Sequence, residues 1–195
     1  MNVALRETMS VSEFLAWEER QELRYEFNGF RSVAMTGGTY EHDQITYNVR
    51  RALDSRLAGK PCRPCGPNVK ILAGHSVRYP DVLVTCSPIP RGTTVIDGPV
   101  VVFEVLSKDS GRTDRIEKLR DYRETPSIRH YVILEQTSIA ASVFGRGGED
   151  ENWVATVLTE GDVLQLPELG IELPLAECYA GLDFPPDAAP EALPG

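Results

Sequence analysis

With 195 residues and 42% hydrophobic content, the chain can bury one substantial core but is short for two ordinary domains, which predicts a single domain. Twenty Lys and Arg against 29 Asp and Glu leave a net charge of -9, which counts against tight binding of duplex nucleic acid by phosphate neutralisation alone. No basic, apolar leader opens the sequence and no run of about 18 apolar residues occurs, so a cytoplasmic protein without membrane spans is expected.

A first helix should begin near Ser10, where Ser10 and Glu13 have the spacing of a capping box and Phe14 and Trp17 supply an apolar face. Alternation of Leu23, Tyr25 and Phe27 with Arg24, Glu26 and Asn28 predicts a half-buried strand, and Asn28-Gly29 is a strong hairpin-turn signal. Thr39 to Leu57 reads as a long helix with Ile45, Val49, Ala52 and Leu53 at helical spacing; His42 lies on the same face. Cys62 and Cys65 have metal-like spacing, yet no second ligand pair follows, so reduced thiols in a Pro-rich turn or strand are the expectation.

Extended pieces follow around Val69 to Leu72, Asp81 to Cys86 and Val100 to Leu106; the last two are valine-rich, as a sheet covered on both faces requires. Thr113 can cap a helix from Asp114 to about Thr125, which Pro126 helps to end. Strands near His130 to Leu134, Ile139 to Phe144, Trp153 to Leu158 and Val163 to Leu166 complete an α/β chain. The domain should span residues 1–183, leaving 184–195 as a disordered Pro- and Ala-rich tail.

In Val100-Val-Val-Phe-Glu-Val-Leu106, Glu104 is one ionisable group among large apolar side chains, so it should be protonated, ion-paired or bound to a metal. Asp81 poses the same question, because Tyr79-Pro80-Asp81 leads directly into Val82-Leu83-Val84 and the proline fixes where the carboxylate enters the sheet. Two carboxylates that open and close adjacent strands can converge, and such oxygens suit a hard cation like magnesium, which polarises phosphoryl oxygens and acidifies bound water. Pairing of each carboxylate with an arginine explains the same pattern, and both readings stay open on this ground.

Pro80-Asp81 followed by Glu104-Val105-Leu106 resembles the PD-(D/E)xK nuclease superfamily, whose signature is Pro-Asp, then an acidic residue, one intervening residue and lysine. The wider pattern is Tyr25-Glu26, Asn28-Gly29, His42, Pro80-Asp81, Glu104-Val105-Leu106-Ser107, Asp114-x-x-x-Lys118, Tyr122 and Tyr131. It resembles the bacterial Uma-type family of restriction-endonuclease-like proteins, over roughly Ser10 to Leu175. The resemblance implies a restriction-endonuclease-like core, a mixed β-sheet flanked by helices, with magnesium or manganese at an acidic cluster. It also implies DNA as substrate and a homodimer.

Leu106 stands where the signature has lysine. In some branches of the superfamily the following helix supplies it, and Lys118 is the matching position. Taking Asp114 as zero, Lys118 falls at about 40°, Tyr122 at about 80°, Leu119 at about 140° and Ile116 at about 200°, so Lys118 borders the stripe expected to face the sheet. Its long stem can pack there while the ammonium reaches the strand ends. An ordinary pair with Asp114 on a solvated face is the alternative, and Lys70 and Lys108 are substitutes.

By resemblance, Glu26 completes a metal shell with Asp81 and Glu104 or holds a ligand water, although an exposed strand residue would show the same alternation. His42 is either a substrate contact or proton-transfer group, given its neutral-range pKa, or a satisfied core histidine. Ser107 should cap the strand end or support Glu104, and Tyr122 and Tyr131 should be packing residues. Lys108 to Arg129 holds seven basic and five acidic residues, which permits a phosphate-bearing substrate without requiring one. A nuclease-fold interaction module with weakened activity and a hydrolase of small phosphoesters are the competing functional readings.

Overall fold

The computed structural model describes residues 9–106, 112–147 and 152–184, the first three residues of the last helix, 112–114, only as backbone. Helix α1, Val11–Glu18, starts at a complete capping box: Ser10 Oγ accepts from Glu13 N at 3.3 Å and Glu13 Oε2 accepts from Ser10 N at 2.8 Å. Its buried Phe14 stacks on Phe27 with ring centroids 5.0 Å apart, which docks the helix on the first hairpin. That hairpin is β1, Tyr25–Phe27, and β2, Ser32–Ala34, paired Phe27 to Ser32, so the turn has four residues rather than the two that Asn28-Gly29 alone implies. Asn28 Oδ1 accepts from the backbone N–H groups of Phe30 and Arg31, and Gly29 takes a positive φ of 87°.

Helix α2, Tyr40–Leu57, is capped by Thr39 and buries Ile45, Val49, Ala52, Leu53 and Leu57, as its spacing predicts. Then come β3, Arg63–Cys65; β4, Ile71–Ala73; β5, Ser76–Arg78; β6, Val82–Thr85; and β7, Pro99–Val105. Helix α3, Arg112–Arg123, begins before Thr113, which therefore lies inside the helix and does not cap it. Strands β8, His130–Leu134; β9, Ala140–Gly147; β10, Asn152–Thr159; β11, Val163–Leu166; and β12, Ile171–Pro174, lead to a final 3-10 turn, Leu175–Tyr179.

The larger sheet has the order β10-β9-β8-β7-β6-β3 and is mixed: β7 and β8 run parallel and every other pair antiparallel. Parallel neighbours need a crossover, and α3 lies within the one that joins β7 to β8. The smaller antiparallel sheet, β2-β1-β5-β4, unites two segments expected to be extended, β1 and β4, with two short ones that were not singled out, β2 and β5.

Both faces of the large sheet are covered. Val101, Phe103 and Val105 of β7 join α2 and the β11–β12 hairpin in one core, while Val102 points the other way, toward Tyr122 of α3, Tyr131, Ile128 and Ile71. Each fully buried side chain of this kind contributes about 1.5–3 kcal/mol. Ile116 does not share in it; at 59% exposure it faces solvent, so the buried stripe of α3 runs through Leu119 and Tyr122 instead.

Cys62 is disulfide-bonded to Cys86, the residue just after β6, which corrects the expectation of reduced thiols; Cys65 and Cys178 are free. Phe184, the first residue of the expected tail, packs on Tyr179 with centroids 5.6 Å apart, and the rest of that expectation lies outside the described residues, as do Ser107, Lys108 and the Asp114 side chain. Among the described residues no helix is long and apolar enough to cross a membrane.

Candidate active site

The antiparallel register of β6 and β7 pairs Val82 with Phe103. Asp81, one residue before Val82, and Glu104, one residue after Phe103, therefore stand side by side, with Glu104 on the face that meets α3. Asp81 Oδ2 accepts from Val105 N at 2.7 Å, which joins the entry of β6 to the exit of β7, and lies 3.2 Å from His42 Nε2. Glu104 is buried, at 8% exposure. Its Oε1 accepts from the Tyr122 hydroxyl at 2.7 Å, and its Oε2 lies 3.1 Å from Lys118 Nζ.

His42 reaches the site from the first turn of α2. A Cβ on Gly38 would stand 3.0 Å from His42 Cγ, so the glycine before the cap makes room for the ring. Thr39, the cap itself, donates its hydroxyl to Gln136 Oε1 at 3.0 Å and so anchors the start of α2 to the loop after β8.

Lys118 also lies 3.5 Å from Glu26 Oε1, and Glu26 accepts from Tyr79 N at 3.0 Å and from Arg78 Nη1 at 3.2 Å. Arg78 in turn directs Nε and Nη2 at Asp121 Oδ2, at 3.1 and 2.7 Å. Asn28, from the first hairpin, donates to Glu117 Oε2 at 3.0 Å. Strands β1, β5, β6 and β7 and helices α2 and α3 thus all supply side chains to one place.

That place is a cleft of about 360 Å³. Four carboxylates line it, Glu26, Asp81, Glu104 and Glu117, against the basic side chains of Arg31, Arg78 and Lys118, with His42 beside them. Burial, reinforced by the neighbouring Asp81 and Glu26 charges, pushes the Glu104 carboxyl up to about 7, while Lys118 and the Tyr122 hydroxyl act the other way. The hydrogen bond to Asp81 raises His42 above its ordinary value, against the opposing effect of burial. Arg78 is held firmly protonated, its burial outweighed by Glu26 and Asp121.

All five residues singled out in the sequence, Asp81, Glu104, Lys118, Glu26 and His42, line this cleft. Lys70 does not: it is buried against Glu18, whose other oxygen accepts from the Tyr79 hydroxyl at 2.7 Å. Tyr131 packs edge-on against Tyr122 at 4.7 Å, as a packing residue should, but Tyr122 also binds Glu104 through its hydroxyl. Arg78 and Asp121 escape sequence reading because neither breaks a local pattern; only the unexplained run of charges in α3 hinted at a buried acid.

Among the described residues no three His, Cys, Asp or Glu side chains surround a common point as a preformed metal cage. The donor chemistry of Asp81 and Glu104, two adjacent carboxylates of which Glu104 is buried beside the Asp81 and Glu26 charges as well as Lys118, is of the kind a divalent cation takes. Magnesium characteristically takes one or two carboxylates and completes its shell with water and substrate oxygens. Glu26, occupied by Arg78, Tyr79 N and Lys118, faces the lysine more than the pair.

A mixed sheet whose one parallel pair among the described residues is joined by a helical crossover, and a carboxylate pair set at the junction of two adjoining strands, define a restriction-endonuclease-like domain. The chain belongs to the Uma2 family, described as "Putative restriction endonuclease", which it matches over residues 11–176. It is 31% identical over 179 residues to the uncharacterized protein slr1290 of Synechocystis sp., covering 90% of this chain and 94% of that one. It is 25% identical over 164 residues to the uncharacterized protein sll1609 of the same organism, covering 81% and 92%. The fold is shared with the crystal structure of "a putative nuclease belonging to DUF820" from Anabaena variabilis, with a TM-score of 0.73 at 15% identity over 88% of this chain and 97% of that one.

Proposed function

We propose that this cleft hydrolyses phosphodiester bonds, with DNA as substrate and magnesium or manganese as the cofactor. The observation that carries the reading is the side-by-side placement of Asp81 and Glu104 with the Lys118 ammonium 3.1 Å from Glu104. Asp81 and Glu104 would hold the cation, which supplies Lewis-acid polarisation of a phosphoryl oxygen and a more acidic water.

The protein's own groups do the rest. Lys118 presents a positive charge where negative charge grows on the phosphoryl oxygens as the water oxygen bonds to phosphorus and the P–O bond to the leaving group breaks. Glu26 keeps that ammonium close to Glu104 rather than free in solvent. His42, whose proton affinity Asp81 raises, can give a proton to the leaving oxygen or orient Asp81. Family membership supports the nuclease reading.

A small phosphoester substrate is the second reading, and the net charge of -9 favours it, because a duplex must be held against that field. Cleavage of single- and double-stranded DNA in manganese, beside a panel of small phosphoesters, separates the two. Asp81→Asn cleaving DNA as fast as the wild type would sink the metal-site assignment.

A further inference from the structure

Two of the most buried charges near the cleft have no part in the chemistry proposed above. Arg78, the last residue of β5, and Asp121, on α3 one turn beyond Lys118, are each 2% exposed. A buried ion pair is a poor source of stability, because desolvating both charges offsets their attraction, so its retention calls for another reason. Here the reason lies in what else the guanidinium touches.

Arg78 places Nε and Nη2 on Asp121 Oδ2, at 3.1 and 2.7 Å, and turns Nη1 to Glu26 Oε2 at 3.2 Å. The other oxygen of Glu26 accepts from Tyr79 N at 3.0 Å and faces Lys118 Nζ at 3.5 Å. Charge therefore alternates along a chain from Asp121 to Arg78, Glu26, Lys118 and Glu104. It begins and returns on α3, passing through the small sheet at β5 and β1 on the way.

We propose that Arg78, clamped by Asp121, is the positioning residue that fixes Glu26 and, through it, the Lys118 ammonium beside Glu104. Two effects combine. The planar guanidinium fixes both carboxylates at once, which a single ammonium cannot do with the same geometry. It also occupies Oδ2 of Asp121, whose Oδ1 takes Arg120 Nη2 at 3.2 Å, on the same helix at a spacing that lets an open carboxylate oxygen draw a lysine away from the strand ends. A lysine carried on a helix, and not on the strand beside Glu104, needs such a brace because its four-carbon stem has many rotamers to lose. The consequence for phosphodiester cleavage rests on the function proposed above; the placement of Lys118 does not.

The test compares full-length wild type with Arg78→Lys, which keeps a buried cation, and with the double variant Arg78→Met/Asp121→Leu, which removes both charges together. Two readouts are taken. One is kcat and KM for bis(p-nitrophenyl) phosphate in manganese. The other is the acetylation rate of Lys118 by an amine-reactive ester, followed by peptide mass spectrometry and normalised to Lys60, which is exposed and remote from the cleft.

Both variants are expected to lower kcat at least tenfold with KM within twofold, and to speed Lys118 acetylation at least fivefold. Folded variants whose Lys118 reacts at the wild-type rate overturn the brace. If the wild type itself hydrolyses nothing, the phosphodiester reading fails by itself, and the acetylation ratio still decides where Arg78 holds Lys118.

Discussion

Lys118 Nζ lies 3.1 Å from Glu104 Oε2, although the two residues are 14 positions apart and on different elements, α3 and β7. The strand position at which the superfamily signature has lysine is here Leu106, partly buried against the α3-side core. The helix brings an ammonium to the same carboxylate by a longer route.

Lys118→Met should therefore lower hydrolysis by about 10²- to 10³-fold, the cost of removing one preorganised charge from a developing transition state. Lys118→Arg should recover part of that loss. Steady-state rates in manganese are the measurement, and a methionine variant within twofold of wild type would assign the charge to another group.

Metal binding should depend on both members of the carboxylate pair. Calorimetric titration with manganese is expected to give one site, weakened at least tenfold in Asp81→Asn and in Glu104→Gln, while EDTA abolishes hydrolysis. Retention of wild-type affinity by Glu104→Gln would move the site away from β7.

Acid should stabilise the metal-free protein over part of its range. Glu104 is raised from 4.5 to about 7 and His42 is raised above 6.5, so each binds its proton more tightly folded than unfolded. For such groups the stability is fully present below the unfolded pKa and is lost as pH climbs through the folded one. Between pH 5.5 and 8 the melting temperature should thus fall by several degrees, and Glu104→Gln should flatten part of the slope. Added manganese should stabilise more at pH 8 than at 5.5, because its ligand must be deprotonated.

The Cys62–Cys86 disulfide, at a sequence separation of 24, closes a loop that contains β3, β4, β5 and β6 and ties the start of the edge strand β3 to the end of β6. Cross-linking a loop of this length contributes about 3 kcal/mol in the chain-entropy account. Thiol titration of the unfolded, unreduced chain should find two free thiols, Cys65 and Cys178, and reduction should lower the melting temperature by several degrees. Four reactive thiols before reduction would contradict the pairing.

Much of the site was legible because its residues break local patterns. Glu104 interrupts an apolar run and Pro80 marks where Asp81 enters the sheet, while Lys118, Glu26 and His42 came from the family resemblance, helical arithmetic only allowing Lys118 at the edge of the buried face. Arg78 was not legible: it ends a strand of three residues, and its partner Asp121 lies 43 positions away, where no periodicity connects them. The pairing that makes the small sheet was hidden for the same reason, since β5 pairs with β1 across about 50 residues through Phe27 and Val77 alone. Cys62 and Cys65 misled by nearness in sequence, because register sets Cys62 against Cys86: Arg63 pairs with Thr85. Ile116 misled because an apolar residue on a helix need not be inside.

The most direct test of the central claim is an anomalous difference map from crystals soaked in manganese. The account predicts a peak within coordination distance, about 2.0–2.3 Å, of carboxylate oxygens from both Asp81 and Glu104, with Lys118 still beside Glu104. A saturating soak that leaves this pair without a peak, or places manganese elsewhere in the cleft, would contradict it.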